Sequence, residues 1–499
     1  MAPRLLTLLA LFLVAAAPAR ADLVQVDRAH AHDGAVLVRH AGGTELAREL
    51  RIWRVPAYAV AELRRAGVVR LSQPERLLPT AAQREATDPL VSQEWWRSAV
   101  GADRAEPPGP GKPVTVVDSG IDLTHPEFAD RANTTVLNAQ TTDDEDEDHG
   151  TQVASVIAAP NNGAGVVGVY PEAVLRVWDA SPFGFLNEGA AIQGIVEAAR
   201  RGPGVINLSF GGEDDDPLLE QAILRAFRLG LVVVAAAGNA GLEGSPKNFP
   251  AAYAHVLTVG ATNESNQVAG FSTLSPTLDL AAPGVRIPVA EPTSQEASGY
   301  VVPGLSGTSF AAPIVSGAAA WVWTRRPELD NTQLFEVLRR SSTDIAVQGF
   351  DDASGYGLLS IPNALSFKAP IRDPQEPNET PDEIEPNHLF TAGTTPLTAP
   401  GRTSASISAR VDRAEDPADL YRVWAPAKMT LRARFSGPVA LRILHRQLRT
   451  SGTSPLAIGK RGVASYRNTG KRGVYVYIEV RSSAVRWTDY TVRLTTARR

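Results

Sequence analysis

Four short segments of the chain each present a side chain that could take part in acyl transfer. Asp118 ends the apolar run VTVVD, His149 opens HGTQVASVIAA, Asn239 follows VVVAAAG, and Ser309 opens GTSFAAPIVSGAAAWVW. A serine hydroxyl attacks a carbonyl when a histidine oriented by a carboxylate takes its proton, and an amide can stabilise the resulting oxyanion. Taken singly, Asp118, Asn239 and Ser309 are equally typical of turns or helix caps, and His149 of a surface or metal-binding position. The combination indicates catalysis on a carbonyl.

The elements that must position these residues follow from hydrophobic periodicity. From Pro113 to about Phe367, apolar strand-like runs alternate with helical patterns, which predicts an α/β fold with a parallel sheet and helices on both faces. Upstream, AVLVRH (35–40) and VVRLS (68–72) suggest strands and VAELRRAGV (60–68) a helix, so a small α+β unit is expected there. After residue 388, period-two segments such as LYRVW and GVYVYIEV predict a small antiparallel β-sandwich.

Composition excludes several functions. The chain has 499 residues and no cysteine, which rules out disulfides, thiolate metal sites and thiol catalysis. The net charge of −5 gives no reason to expect nucleic-acid binding. The charge is uneven, because residues 388–499 contain 20 Lys or Arg against 6 Asp or Glu. A proline- and acid-rich stretch, 369–387, separates this basic part from the rest and is typical of an extended linker.

The N-terminus has the pattern of a secretory signal peptide. Arg4 precedes an apolar run from Leu5 to Ala17, and Ala19 and Ala21 supply the small residues of a cleavage site. The alternative, an uncleaved anchor helix, is disfavoured because the run is shorter than the ~20 residues that span a bilayer. We therefore expect a secreted, extracellular protein without a membrane span.

At this point the sequence resembles the subtilisin-like serine proteases. DSGIDLTHPEF, HGTQVA and GTSFAAP occur in the order Asp, His, Ser, separated by 31 and 160 residues, and the resemblance runs from about residue 88 to 365. It implies that Ser309 is the nucleophile, His149 the general base and then acid, and Asp118 the orienting carboxylate. It also implies that Asn239 and the backbone N–H of Ser309 form an oxyanion hole.

The same resemblance implies how substrate and calcium bind. Ser209, Phe210 and Gly211 match the segment that lines the first specificity pocket, and Gly184 falls where an extended substrate strand pairs. NNGAGV resembles the family's calcium loop. The implied calcium ligands are the side chains of Asn162 in that loop, Glu127 in HPEF, and Gln93. The alternative is a Gly-Asn turn without a metal, and the chemistry itself requires no cofactor.

The flanking units fit the resemblance as well. Residues 1–21 would be a signal peptide, 22–84 an inhibitory propeptide, 85–369 the catalytic domain, 370–387 a linker and 388–499 a sandwich resembling the pre-peptidase C-terminal domain. We expect a monomeric, secreted serine endopeptidase with protein and peptide substrates, inhibited by its own propeptide. The alternatives are a catalytically silent binding or adhesion protein on the same fold, or a processing protease with one native partner.

Overall fold

The computed structural model describes residues 21–74, 88–139, 148–182, 185–385, 393–412, 416–446, 455–482, 484 and 487–498. The chain divides into two compact units, Met1–Ala86 and Thr87–Arg499. The predicted signal peptide lies outside the described residues except for its last position, and Gly184 also lies outside them. Within the described ranges, no helix is both long and apolar enough to cross a bilayer.

The N-terminal unit is an α+β fold, as the sequence predicts. Its strands form an antiparallel sheet in the order β2-β3-β1-β4, and residues of both helices share one apolar core with the sheet. The elements are β1 (Ala21–Val26), α1 (Ala31–His40), β2 (Thr44–Ala47), β3 (Ile52–Pro56), α2 (Val60–Arg65) and β4 (Val69–Pro74).

The strand predicted at residues 35–40 is wrong, because these residues form the second half of α1. The buried positions follow a helical spacing: Gly34 and Val38, one turn apart, face the core, whereas Val36 and Leu37 are exposed. Close packing fixes this arrangement, since a Cβ at Gly34 would lie 2.6 Å from the side chain of Val26.

The second unit is built on a seven-stranded sheet in which every pair of neighbours is parallel. This confirms the predicted α/β sheet. In spatial order the strands are β11 (Leu280–Pro283), β10 (Val256–Thr262), β9 (Val232–Ala236), β8 (Val205–Leu208), β5 (Pro113–Asp118), β7 (Val174–Asp179) and β6 (Thr134–Val136).

Helices pack on both faces of this sheet. Val116 packs with the helices of one face, Asp148–Ala158 and Thr308–Arg325. Its neighbour Val117 packs with those of the other face, Glu188–Arg200 and Pro217–Arg228, because successive side chains of a strand point to opposite faces. The helices are α3 (Trp96–Val100), α4 (Asp148–Ala158), α5 (Glu188–Arg200), α6 (Pro217–Arg228), α7 (Thr308–Arg325), α8 (Asn331–Arg340), α9 (Ile361–Ser366) and α10 (Pro381–Ile384).

The C-terminal part is a β-sandwich of two antiparallel four-stranded sheets, as predicted. The sheets have the orders β14-β21-β16-β19 and β15-β20-β17-β18, and a separate hairpin pairs β12 (Ile287–Ala290) with β13 (Tyr300–Leu305). The sandwich strands are β14 (Ser404–Val411), β15 (Ala418–Ala425), β16 (Thr430–Ser436), β17 (Ala440–His445), β18 (Ala457–Ile458), β19 (Val463–Arg467), β20 (Val474–Arg481) and β21 (Thr488–Ala497).

The segment 370–385 is not the extended, solvated linker that its composition predicts. Asp373 is 3% exposed and Asn378 is fully buried. The backbone N–H of Leu420, in β15, donates to Asn378 Oδ1 at 2.9 Å, and Arg228, in α6, donates to the carbonyl of Glu383 at 2.7 Å. These contacts fix the segment between the catalytic domain and the sandwich.

Candidate active site

Three neighbouring strands of the sheet end beside one another. β5 ends at Asp118, β8 is followed directly by Ser209, and Asn239 lies three residues after the end of β9. The three strands are adjacent in the order β9-β8-β5 and parallel, so their carboxyl ends share one edge of the sheet. Three of the side chains selected from the sequence are thereby brought to one place by topology.

Asp118 and His149 form a hydrogen-bonded pair. Asp118 is fully buried, and its Oδ1 lies 2.8 Å from His149 Nδ1. Burial acts to lower the pKa of His149, but the charge and hydrogen bond of Asp118 outweigh it, and the pKa is raised above its ordinary value. Because Asp118 occupies Nδ1, Nε2 is the ring nitrogen left for proton transfer.

The first turn of α4, which carries His149, lies directly against the backbone after Asp118. The N–H of Gly150 donates to Ser119 Oγ at 3.0 Å. A Cβ at Gly150 would lie 2.1 Å from the carbonyl oxygen of Gly120, closer than two unbonded atoms can approach. Glycine at this position is therefore what allows His149 to reach Asp118.

Ser309 is the second residue of α7, and it is bonded reciprocally to Ser209. Ser309 Oγ donates to the Ser209 carbonyl at 3.0 Å, and Ser209 Oγ donates to the Ser309 carbonyl at 2.9 Å. The ring of Phe310 lies 5.9 Å from the ring of His149, so the histidine lies beside the first turn of α7. Proton transfer to His149 would require the Ser309 side chain to rotate away from the Ser209 carbonyl, a rearrangement that ligand-free sites commonly need.

The side-chain amide of Asn239 has a fixed orientation. Its Oδ1 accepts hydrogen bonds from both the backbone N–H and Oγ1 of Thr308, each at 2.9 Å. Because the carbonyl oxygen is held there, Nδ2 is the free end of the amide, and it lies 3.4 Å from the position a Cβ would take on Gly307. Two donors thus lie near the start of α7: this Nδ2 and the backbone N–H of Ser309, which belongs to the first helical turn.

A buried polar chain, which the sequence analysis did not predict, ties β8 to α7. Ser316 Oγ donates to Asn207 Oδ1 at 2.8 Å, and Asn207 Nδ2 donates to Ser209 Oγ at 2.9 Å. Asn207 and Ser316 are both fully buried. Their signal in the sequence is a polar residue inside an apolar run, Asn207 in VINL and Ser316 in the middle of α7, because a buried polar group requires a partner.

Two of the four residues implied for substrate binding border a large open cavity of about 450 Å³. Phe210 and Gly211 line it, together with Phe249 and Leu186, whereas Gly184 lies outside the described residues. The cavity also has carboxylates on its wall, which the sequence analysis did not assign to it: Glu188, Asp214, Asp215 and Asp216.

The implied calcium ligands come together only in part. Asn162 Nδ2 lies 3.4 Å from Glu127 Oε2, whereas Gln93 is exposed. Asp88, which the sequence analysis did not select, accepts the backbone N–H of Gly163 at 2.6 Å. Burial raises the pKa of Glu127 to about 8, against hydrogen bonds from Val166 and Tyr300 that lower it. The carboxylate and amide oxygens have the chemistry that calcium prefers, so Glu127 and Asn162 fit such a site, and the place of Gln93 in it stays a prediction.

Comparison with known proteins identifies the family. The model of the subtilase family, peptidase S8, matches residues 109–357. Subtilisin BL of Lederbergia lenta is 38% identical over 50% of this chain and 90% of its own length, and the alkaline protease of Alkalihalobacillus alcalophilus is 38% identical over 55% of this chain and 70% of its own. The chain therefore belongs to the subtilase family and is a subtilisin-like serine endopeptidase.

A solved structure extends the fold comparison beyond the catalytic domain. Fervidolysin from Fervidobacterium pennivorans, described as a keratinolytic enzyme related to subtilisin, matches 90% of this chain and 69% of its own, with a TM-score of 0.50 and 21% identity. At that identity the likeness concerns the fold alone.

The contact at Gly150 can be tested by substitution. Gly150→Ala should lower kcat by about 10²-fold, the order of loss expected when a catalytic group moves by about 1 Å. Peptide hydrolysis by the purified variant measures this, and Gly270→Ala, which meets no atom within 4 Å, is the matched control. Equal kcat values for the two variants would show that the Gly150 contact does not position His149.

Proposed function

We propose that this chain is a secreted serine endopeptidase that hydrolyses proteins through an acyl-enzyme, with Asp118, His149 and Ser309 as its triad. The observation that carries the proposal is the 2.8 Å contact between Asp118 and His149 Nδ1, formed beside the helix turn that presents Ser309. That contact leaves Nε2 of a histidine with a raised pKa available for the proton of Ser309 Oγ, once the serine has rotated away from the Ser209 carbonyl. This is the arrangement that nucleophilic attack by a serine requires.

Acylation would proceed as follows. Ser309 Oγ attacks the carbonyl carbon of the scissile peptide, and its proton passes to His149 Nε2. The negative charge that develops on the carbonyl oxygen is met by Asn239 Nδ2 and the N–H of Ser309, at the positive end of α7. The C–N bond then breaks, His149 gives its proton to the leaving amine, and the acyl group stays on Ser309.

Deacylation would repeat these roles with water as the nucleophile. His149 takes a proton from the water molecule that attacks the ester, and it returns that proton to Ser309 Oγ as the acid product leaves. Asp118 keeps its negative charge throughout and stabilises the imidazolium in both half-reactions.

We further propose that the N-terminal unit is a propeptide that is removed after secretion and inhibits the enzyme until then. The support is the sheet face opposite the two helices, where Leu23, Ile52 and Leu71 border a cavity of about 240 Å³. Leu71 is 63% exposed, so this face presents apolar surface that docking on a partner would cover.

The calcium expectation remains a proposal, and so does the place of Gln93 among the ligands. Glu127 and Asn162 would hold the ion through carboxylate and amide oxygens, and the ion would stabilise the loop at residues 160–166 rather than take part in catalysis. Asp88 fixes the backbone of the same loop, through its bond to Gly163.

Removal of the nucleophile should abolish both catalysis and maturation. In Ser309→Ala, we expect casein hydrolysis and labelling by a serine-directed phosphonate probe to disappear, and the N-terminal unit to remain attached. Intact mass and N-terminal sequencing of wild type and variant measure the second effect. Trimming of both proteins would assign processing to another protease, and probe labelling of the variant would contradict the role of Ser309.

Loss of the amide donor should lower kcat selectively. Asn239→Ala is expected to reduce kcat by about 10²–10³-fold, a magnitude known for such a donor in a subtilisin, with little change in KM because the contact forms only in the transition state. Thr308→Val, which removes one bond to Oδ1 but keeps Nδ2, should have a smaller effect in the same peptide assay. A loss confined to KM would argue against an oxyanion role.

The pH profile should report the Asp118–His149 pair. The base must be neutral, so activity rises as pH increases through the pKa of His149, and we expect the wild-type acid limb above the ordinary value of 6.5. In Asp118→Asn only the effect of burial remains, so the acid limb should move to lower pH while kcat falls by about 10⁴-fold. The kcat/KM profiles of both proteins measure this, and an unchanged acid limb would contradict the assignment.

A further inference from the structure

A cluster of buried carboxylates lies where the catalytic domain, the segment 370–385 and the sandwich meet. Asp373, Glu376, Asp416 and Asp419 are exposed by 3%, 9%, 8% and 0%, respectively. The first two belong to the segment 370–385, Asp416 lies two residues before β15, and Asp419 lies within that strand. We call these four residues the junction cluster.

The junction cluster has the spacing of a metal site. One ligand atom from each of Asp373, Glu376 and Asp416 lies within 4.8 Å of the others. Glu376 is shared with a second such group, which adds Glu379 and His255 of the catalytic domain. His255 Nε2 lies 2.6 Å from Glu379 and 3.6 Å from Glu376, so the imidazole borders the carboxylates of the cluster.

Hydrogen bonds hold these carboxylates in place but do not satisfy all of their oxygens. The backbone N–H of Arg410 donates to Asp373 Oδ2 at 2.9 Å, Asn378 Nδ2 donates to Glu376 Oε1 at 2.5 Å, and the hydroxyl of Tyr490 donates to Asp419 Oδ2. Asp419 also forms side-chain hydrogen bonds with Glu376 and Asn378, whereas, among the described residues, Asp373 Oδ1 and Asp416 Oδ1 have no hydrogen-bond partner. Buried acceptors without partners are costly, and a bound water molecule or ion would satisfy these two.

The neighbouring cations do not neutralise this charge. Arg339 makes ion pairs of 3.1–3.2 Å with Glu336, Asp279 and Asp412, outside the junction cluster. Arg410 lies 3.7 Å from Asp373, and Arg228 interacts electrostatically with Glu376.

There is room for one ion among these groups. A cavity of about 20 Å³ lies here, bordered by Asp373, Glu376 and Asp416 together with His255 and Arg410. A space of this size holds one water molecule or an ion of similar size, and its polar lining does not suit an apolar ligand.

We propose that the junction cluster binds one calcium ion, with Asp373, Glu376 and Asp416 as its protein ligands. Calcium takes carboxylate oxygens in irregular, flexible geometries, whereas magnesium demands a near-ideal octahedron and zinc favours nitrogen and sulfur ligands. The ion would link the segment 370–385 to the sandwich beside His255 of the catalytic domain. Its role is to fix the sandwich in place, and it takes no part in peptide hydrolysis.

The test counts bound calcium in the full chain. Ser309→Ala prevents autolysis, and Asp373→Asn and Asp416→Asn remove one ligand charge each without changing side-chain size. After removal of free metal on a chelating resin, elemental analysis should find one calcium ion fewer per chain in each Asn variant than in the Ser309→Ala parent. The increase in Tm that calcium gives the parent over EDTA should shrink in both variants. Asp382→Asn, an exposed carboxylate of the same segment, is the matched control and should change neither value.

A second variant keeps the test decisive if the Asn variants fail to fold. Ser309→Ala combined with Glu127→Gln removes a ligand of the proposed calcium site at residues 160–166. Calcium that remains bound to this variant can then be assigned to the junction cluster. We expect this chain to retain one calcium ion and a Tm that falls in EDTA. A chain without calcium would overturn the proposal. So would Asn variants that keep the parent's calcium count, because the carboxylates would then be satisfied by protons instead of an ion.

Discussion

The catalytic domain depends on the burial of one helix, α7 (Thr308–Arg325). Fifteen of its eighteen residues are buried, including both of its tryptophans, so it is apolar around its whole circumference. Such a helix is stable only when protein surrounds it, which β8 to β11 and α4 provide. Because the helix cannot slide without exposing that surface, its first turn is fixed at the carboxyl edge of the sheet, where Ser309 is needed.

Hydrogen bonds between buried polar groups fix the orientation of α7, which apolar packing alone does not determine. Hydrophobic burial carries no direction, but the bond between Ser316 and Asn207 fixes the rotation of α7 relative to β8. Thr308 fixes the position of the first turn of α7 in the same way, because its N–H and its hydroxyl both donate to Asn239 Oδ1. The residues proposed as the triad and the oxyanion donors therefore share one rigid frame.

Much of this frame could be predicted from sequence, for a physical reason. Parallel strands deliver their carboxyl ends to one edge, so residues as distant as Asp118, Ser209 and Asn239 are brought together once the α/β pattern is recognised. The hydrogen bonds that join Ser316, Asn207 and Ser209 could not be predicted in this way, because the sequence VINLSF does not show which partner Asn207 binds. Gln93 shows a limit of this approach, because it was selected by residue type alone and its side chain is exposed.

The segment 370–385 shows where composition misleads. Proline and acidic residues are typical of solvated chain, yet here Arg228 of α6 donates to the carbonyl of Glu383, and the backbone N–H of Arg410 in β14 donates to Asp373. The basic character of the sandwich is thus partly interfacial, since Arg410 is 6% exposed and contacts Glu336 of α8 as well as Asp373.

Buried carboxylates are used in two ways in this chain. Asp118 Oδ1 is hydrogen-bonded both to His149 Nδ1 and to the backbone N–H of Ser119, and these bonds offset part of the cost of burial while the first also organises the active site. The carboxylates at the domain junction are more numerous than the cations around them, so no set of pairwise bonds among the described residues can neutralise them all. A domain boundary held by packing alone would need no such charge. The buried carboxylates at the junction therefore imply that attachment of the sandwich depends on protons or on a cation from solution. The geometry of the active site, by contrast, depends on residues of the chain itself.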